Sequence, residues 1–282
     1  MNNFIKRTLT GALFVLVLVG CMVYSEYTFA LLFSLITGLG VWEFCGLVNQ
    51  RDNVAVNRPI CTLGGVYLFL AFFTHTAFAE LNTAFGSGAV FIPYLIILIY
   101  LFVRELYMRH EDPIHTWAYS MLSQIYVALP FALLNLLAFF NVNDTHIVYS
   151  WGVPLALFIF LWCSDTGAYL SGVMFGKHKL FPRISPKKSW EGSIGGCLLT
   201  LLVAYLIAPW IGLQPLACMG LGVVVVVFGT WGDLVESLLK RKLGIKDSGN
   251  ILPGHGGILD RFDSALMAIL AAIVYFYTLM LF

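Results

Sequence analysis

Long apolar runs separated by short polar segments dominate this chain. Nine of the runs approach the roughly 20 residues that an α-helix needs to cross a bilayer. They lie at 8–24, 29–48, 60–78, 84–103, 117–140, 147–173, 193–210, 216–232 and 264–282. Runs of this length with few charges are typical of transmembrane helices. We therefore predict an all-α polytopic membrane protein with about nine transmembrane helices.

The basic residues test this count independently. All 16 Lys and Arg residues fall in alternate loops of the nine-span arrangement, in five clusters that begin at the N-terminus: Lys6 and Arg7, Arg51 and Arg58, Arg104 and Arg109, the loop 177–188, and the segment 240–261. Positively charged loops remain on the cytoplasmic side of a membrane. We therefore predict a cytoplasmic N-terminus and an outside C-terminus, in the cell's cytoplasmic (inner) membrane.

The composition agrees with a membrane location. Hydrophobic residues make up 60% of the chain and charged residues 11%, whereas soluble domains carry about 25% charged residues. The net charge of +1 says little about partners, and we expect contact with the lipid bilayer and none with nucleic acid. The six cysteines lie in apolar stretches without a C-x-x-C pair, which favours packing over metal or disulfide chemistry.

Polar residues are distributed unevenly along the chain. The first five spans carry few of them, and the sequence leaves open whether the exception, Glu43, lies at a wet interface or in a polar cavity. Beyond residue 160, acidic and basic residues become dense. We therefore predict an N-terminal helical scaffold at 1–145, a candidate for dimer contacts, and a catalytic region at 146–282 with a polar funnel open to the cytoplasm.

The end of the eighth span carries the first candidate site. If its helix continues beyond residue 232, one face presents five polar side chains: Asp233, Glu236, Ser237, Lys240 and Arg241. Carboxylates suit a hard divalent cation, and the basic side chains suit phosphate. The same spacing also fits a solvated helix end with intrahelical ion pairs, and both interpretations stay open.

A second carboxylate pair, Asp260 and Asp263, lies at the mouth of the ninth span with Arg261 between them. The turn before it, Pro253-Gly254-His255-Gly256-Gly257, leaves backbone N–H groups able to approach an anion closely. Lys246 and Asp247 lie shortly upstream. The combination favours a phosphate-binding turn, although no G-x-x-x-x-G-K-[ST] P-loop occurs in the chain.

The sixth span and the loop after it add further polar groups. Asp165 shares a helical face with Tyr169 and Gly172, and an intramembrane Asp is a candidate functional residue. Lys187 and Lys188 can reach the same funnel, or can serve membrane topology alone. Carboxylates and cations without a Ser-His-Asp set or a Cys nucleophile favour metal-assisted phosphoryl or nucleotidyl transfer.

The segment 237–263 carries a dense pattern, with Ser237-Leu-Leu-Lys240-Arg241, Lys246-Asp247-Ser248-Gly249 and Leu252-Pro253-Gly254-His255-Gly256-Gly257-Ile258-Leu259-Asp260-Arg261-Phe262-Asp263. It resembles the signature of the phosphatidate cytidylyltransferases (CDP-diacylglycerol synthases), and the segment 165–191 also looks like that family. The resemblance implies transfer of the cytidylyl group of CTP to phosphatidic acid, with release of pyrophosphate. It also implies a homodimer that requires Mg²⁺, with K⁺ as a second candidate ion.

The resemblance also assigns roles by position. Asp233 and Asp260 correspond to the metal-binding aspartates. The helical spacing described above adds Glu236 and Asp263 as candidate ligands, and Asp165, Lys246 and Asp247 complete the expected catalytic set. The expected phosphate-binding residues are Lys187, Lys188, Ser237, Lys240, Arg241, His255, Gly256, Gly257 and Arg261.

Two alternative functions remain. A CTP-dependent lipid kinase, which would transfer the γ-phosphoryl group, has the same charge inventory, although the signature argues against it. An anion transporter would place polar residues along a route across the bilayer, but the outer half of each predicted span is nearly bare of charge.

Overall fold

A computed structural model describes residues 3–79, 86–142, 146–249 and 256–281. Within these residues, long helices dominate and two short hairpins interrupt them. The helices are α1 (Asn3–Tyr24), α2 (Glu26–Val48), α3 (Arg58–Ala77), α4 (Ile92–Met108), α5 (Pro113–Leu122), α6 (Leu129–Ala138), α7 (Gly152–Phe175), α8 (Trp190–Ile207), α9 (Pro215–Lys242) and α10 (Leu259–Leu281).

These helices account for all nine predicted spans. Eight stretches of the described chain are long and apolar enough to cross a membrane, and α1 contributes a shorter apolar stretch, Thr8–Tyr24. A π-helical turn, Ser123–Ala128, joins α5 and α6 into one such stretch, Pro113–Ala138. The predicted all-helical membrane fold is confirmed, and the orientation of the chain in the membrane stays a prediction.

Two boundaries differ from the apolar pattern. Helix α9 continues ten residues beyond residue 232 to Lys242, which meets the condition set for a polar helical face. The sixth predicted run begins too early, because residues 147–149 belong to a hairpin of β1 (Phe139–Val142) and β2 (His146–Tyr149). A second antiparallel hairpin, β3 (Lys179–Phe181) and β4 (Ser185–Ser189), leads directly into α8.

Several helices begin at side-chain caps. Ser25, Asn57, Asp112 and Ser189 each accept a hydrogen bond from a backbone N–H two or three residues later. Such caps satisfy N–H groups that have no partner inside the helix. The Ser189 cap matters most for the site, because it sets the point where the basic β3–β4 hairpin turns into α8.

The chain divides into two compact units. The first comprises Met1–Ser150 together with Ile245–Arg261. Fully buried aromatic side chains form its core, and the rings of Phe29 and Phe33 lie 4.9 Å apart, with Phe131 6.2 Å from Phe33. Residues 245–261 of the signature segment therefore belong to the same unit as helices α1–α6.

The second unit comprises Trp151–Gly244 and Phe262–Phe282. Helices α7 and α8 approach so closely that a Cβ atom on Gly167 would lie 2.8 Å from the Cα atom of Gly196. Small residues allow membrane helices to pack backbone against backbone in this way. The functional division predicted at residues 145 and 146 stays a prediction.

Candidate functional site

A cavity of about 200 Å³ lies in the second unit, bordered by α7, the junction of β4 with α8, and α9. Its polar lining consists of Ser164, Asp165, Tyr169, Lys187, Lys188, Ser189, Ser193 and Thr230. Three of these, Asp165, Lys187 and Lys188, were predicted as site residues. The close contact of α7 with α8 brings the Asp and the two Lys residues to one cavity.

Lys188 is the central charge of this cavity. Its ammonium group lies 2.5 Å from Oδ2 of Asp233 and donates a 3.4 Å hydrogen bond to the carbonyl oxygen of Thr230. The other oxygen of Asp233, Oδ1, accepts a 3.1 Å hydrogen bond from the Ser237 hydroxyl. About a quarter to a third of each ion-paired side chain is exposed. The pair is therefore accessible to a ligand that enters the cavity.

Two more carboxylates interact electrostatically with Asp233. Asp165 lies near both Lys188 and Asp233, and Asp263 lies near Asp233 and Lys240. Like charges in a partly buried place repel each other and favour a bound cation. This part of the second unit therefore has an acidic group of residues that cationic side chains only partly balance.

The basic hairpin is held by Glu191 in the first turn of α8. Its carboxylate accepts hydrogen bonds from the backbone N–H groups of Lys177, at 3.2 Å, and His178, at 3.1 Å. Its Oε1 atom also lies 2.6 Å from Nδ1 of His178. An acidic residue is favourable at a helix N-terminus. Glu191 therefore fixes the start of the loop that presents Lys187 and Lys188.

The polar end of α9 combines both interpretations of its spacing. Glu236 is 1% exposed, and its Oε2 atom forms an intrahelical ion pair with Lys240 at 2.5 Å. Arg241 is exposed, so it does not share the buried position of Glu236. The ion-pair interpretation therefore applies to Glu236 and Lys240, while Asp233 bonds to Ser237 and to Lys188, which lines the cavity. A metal-binding role for Glu236 stays a prediction.

In the first unit, Asp260 is bonded to two other residues of the signature segment. Oδ2 of Asp260 accepts hydrogen bonds from the backbone N–H groups of Ser248, at 2.9 Å, and Gly257, at 2.8 Å. The Ser248 hydroxyl accepts in turn from the Asp260 N–H at 3.3 Å. Gly256 has φ of 86°, a left-handed conformation that glycine adopts without strain. These bonds set the direction of the Asp260 side chain at the start of α10.

Glu43 of α2 also contacts this segment. The side chain is 6% exposed, and its Oε2 atom accepts hydrogen bonds from the Leu259 N–H, at 2.9 Å, and the Ser248 hydroxyl, at 3.4 Å. The sequence had left this residue undecided. The sequence signal was a carboxylate within an apolar span. Such a residue is a candidate functional residue, but the sequence does not show which residues it contacts.

The remaining predicted residues have simpler surroundings. Lys246, Asp247 and Arg261 are exposed in the first unit. Gly256 and Gly257 lie in the turn before α10, as expected for a close backbone approach. His255 lies outside the described residues.

The donor set can be tested against the expected Mg²⁺. Among the described residues, no three His, Cys, Asp or Glu side chains lie close enough together to hold a metal ion by themselves. Mg²⁺ does not need such a cage, because it usually takes one or two carboxylates and completes its shell with water and substrate phosphates. Asp233 in the second unit and Asp260 in the first unit, each taken by itself, offer carboxylate oxygens of this kind. The residues present therefore fit the ion.

Comparison with known proteins gives a consistent result. The Cytidylyltransferase family profile matches residues 5–280. The chain is 32% identical over 296 residues to a phosphatidate cytidylyltransferase of Haemophilus influenzae, covering 97% of this chain and 98% of that protein. It is 44% identical over 154 residues to a phosphatidate cytidylyltransferase of Staphylococcus aureus, covering 54% of this chain and 56% of the relative. The resemblance drawn from the signature is confirmed.

Proposed function

The chain belongs to the cytidylyltransferase family, and on that premise we infer that it transfers the cytidylyl group of CTP to phosphatidate. The products are CDP-diacylglycerol and pyrophosphate. The observation that carries this conclusion is the match to the Haemophilus influenzae enzyme over 97% of this chain. The protein is thus a multi-pass nucleotidyltransferase of phospholipid synthesis, and its bacterial relatives assign it to the cytoplasmic membrane.

The reaction proceeds by direct attack of the lipid phosphate on CTP. A phosphatidate oxygen forms a bond to the α-phosphorus, the bond from that phosphorus to the bridging oxygen breaks, and pyrophosphate leaves with the electron pair. A phosphate monoester has a second pKa of about 6 and is largely ionised at neutral pH. A strong general base is therefore unnecessary, and the main difficulty is to bring two polyanions together.

Cationic side chains meet that difficulty. Lys187 and Lys188 line a cavity of about 200 Å³ in the second unit, which is large enough to admit a phosphate group. Lys188 can exchange its ion pair with Asp233 for a substrate phosphate, because both side chains are partly exposed. The wider phosphate-binding set that the family resemblance supports consists of Ser237, Lys240, Arg241, His255, Gly256, Gly257 and Arg261, with Asp165, Lys246 and Asp247 assisting in catalysis.

Asp233 and Asp260 are each proposed as a ligand of Mg²⁺, with Asp263 and Glu236 as further candidates and K⁺ as a second candidate ion. Bound Mg²⁺ would neutralise phosphate charge and polarise the phosphoryl oxygen. The hydrogen bonds from Ser248 and Gly257 support this role for Asp260, because they fix its carboxylate before any ion arrives. The family resemblance also supports a homodimer, and the distribution of basic loops supports a cytoplasmic site.

The position of a radioactive label tests the reaction. Purified protein is incubated with phosphatidate, Mg²⁺ and CTP labelled on either the α- or the γ-phosphorus. Cytidylyl transfer places the α-label in the lipid and the γ-label in pyrophosphate. A lipid kinase would place the γ-label in the lipid and leave the α-label in CDP, and that outcome would overturn the proposed function.

Replacement of the two aspartates tests the ion-binding role. Asp260→Asn and Asp233→Asn should each lower kcat by at least about 10²-fold, because a metal contributes several kcal/mol to transition-state stabilisation. Both variants should elute as folded protein in detergent. Asp112→Asn, which changes a carboxylate at the start of α5, is the matched control. Near-normal transfer by Asp260→Asn would refute its role as a ligand.

A further inference from the structure

We infer that Glu43 is a positioning residue for the cytidylyl transfer, which acts by holding the start of α10 and thereby the carboxylate of Asp260. The inference rests on the proposed function in one respect, since it takes Asp260 to be part of the catalytic machinery. Glu43 lies more than two hundred residues away in sequence and outside the signature. All the residues concerned belong to the first unit.

The hydrogen bonds of Glu43 converge on residues that surround Asp260. Oε2 accepts from the N–H of Leu259, the residue that precedes Asp260 and begins α10. It also accepts from the Ser248 hydroxyl, which itself accepts from the Asp260 N–H. Glu43 is thus bonded to the chain next to Asp260 and, through Ser248, to the backbone of Asp260 itself.

Two glycines of the signature show how tightly the segment packs on this carboxylate. A Cβ atom on Gly249 would lie 2.5 Å from Oε1 of Glu43, and a Cβ atom on Gly257 would lie 2.6 and 2.7 Å from its two oxygens. Real Cβ atoms essentially never approach other atoms to within 3.0 Å. The backbone at both positions therefore lies directly against Glu43. A larger residue would not fit at either position, so both glycines are required sterically, independently of ligand binding.

The energetics argue against an incidental location. A carboxylate in an apolar helix is costly unless hydrogen bonds compensate its desolvation. Glu105, the other buried carboxylate among the described residues of this unit, has cationic or ionisable partners, Arg104 at 2.7 Å and His110 at 2.6 Å. Glu43 is instead bonded to N–H and O–H donors of the signature segment, including one at a helix N-terminus, where negative charge is favourable. Its cost of burial is thus linked to the order of that segment.

The test uses two substitutions in the full-length protein. Glu43→Met keeps an unbranched side chain of similar length but removes both acceptors, and Glu43→Gln keeps one carbonyl oxygen as an acceptor. Glu105→Gln is the matched control, because it neutralises a buried carboxylate of the same unit that has no described bond to the signature. Hydrogen exchange is measured without Mg²⁺ or nucleotide, in peptides that contain the amides of Ser248 and Leu259, and kcat is measured separately.

We expect exchange of these amides to become about tenfold faster or more in Glu43→Met, since the Leu259 N–H loses its acceptor. The same variant should lose about tenfold or more in kcat, because a displaced catalytic group costs rate steeply. Glu43→Gln should recover most of both properties, and Glu105→Gln should match the wild type in both. If Glu43→Met does not fold, Glu43→Gln is compared with Glu105→Gln instead. Of these two variants, only Glu43→Gln should then show a measurable change in exchange and kcat.

The outcomes separate this inference from the proposed function. Unchanged exchange in the Glu43 variants would overturn the claim that Glu43 holds the segment. Faster exchange with normal kcat would overturn its importance for the reaction. Normal transfer by Asp260→Asn would refute the ion-binding role of Asp260 and with it the catalytic part of this inference. Faster exchange in Glu43→Met would still show that Glu43 holds the segment, and the position of the radioactive label would still decide the proposed function.

Discussion

The contact between α7 and α8 gives the most direct structural prediction, through the substitution Gly196→Ala. A Cβ atom at this position would lie 2.6 Å from the carbonyl oxygen of Ser164, which is 0.8 Å inside the 3.4 Å at which ordinary contact begins. It would also lie 3.3 Å from the Ala168 nitrogen. Both neighbours are backbone atoms of α7, so no side-chain rotation can relieve the overlap. The two helices must separate instead.

The expected cost follows from overpacking of a close helix contact. Such insertions destabilise proteins by about 1–3 kcal/mol. For a chain of this length, that corresponds to a fall in Tm of roughly 2–10 °C. Activity should fall as well, by up to about 10²-fold for a displacement approaching 1 Å, because Asp165 on α7 and Lys188 before α8 line the same cavity.

The assay compares thermal unfolding of purified variants in one detergent, with cytidylyl transfer measured on the folded fraction. Gly20→Ala in α1 is the matched control, since a Cβ atom there would meet nothing within 4 Å. Both substitutions gain the same helix propensity of about 1 kcal/mol, so the difference between their Tm values isolates the steric cost. If Gly196→Ala were as stable and as active as Gly20→Ala, the argument from backbone contact would be wrong.

Two further predictions concern loops at helix starts. Asp112 caps α5 and accepts from the His115 N–H at 3.0 Å, and this bond, with a further one from the His115 ring, lowers the pKa of Asp112 below its ordinary value of 3.8. A carboxyl group whose pKa is lower in the folded state stabilises the protein at pH values above its unfolded pKa, and this stabilisation is lost as the pH falls through the folded pKa. The Tm difference between the wild type and Asp112→Ala should therefore be constant near neutral pH and shrink below about pH 4. A Tm difference that grows with acidity would contradict this. Glu191→Ala should lower kcat/KM for CTP by about tenfold or more, because hydrogen bonds that position the basic hairpin are lost. Glu191→Gln should keep part of the rate. Equal rates for the wild type and both variants would show that the β3–β4 hairpin does not need this anchor.

Much of the fold could be predicted because its signal is local. Each apolar run can be identified as a membrane span by itself, because only the length of the run and the thickness of the bilayer determine whether its helix can cross. The continuation of α9 past residue 232 was likewise foreseeable from the helical spacing of Asp233 and Ser237, which form a hydrogen bond at 3.1 Å. The hairpin of β1 and β2 was not, because an apolar run of β-branched and aromatic residues fits a strand as well as a helix end.

Both the sequence and the tertiary structure were needed to describe the candidate site. The residue types and the spacing of the signature were sufficient to predict the family, because that pattern lies in one continuous stretch. Only the tertiary structure decided that Lys188 pairs with Asp233, that Glu236 is buried against Lys240, and that Glu43 accepts a hydrogen bond from the N–H of Leu259. Helix packing decides the partners in these contacts. The hydrophobic pattern of a sequence shows which face of a helix is apolar, but it does not show which distant residue will contact that face.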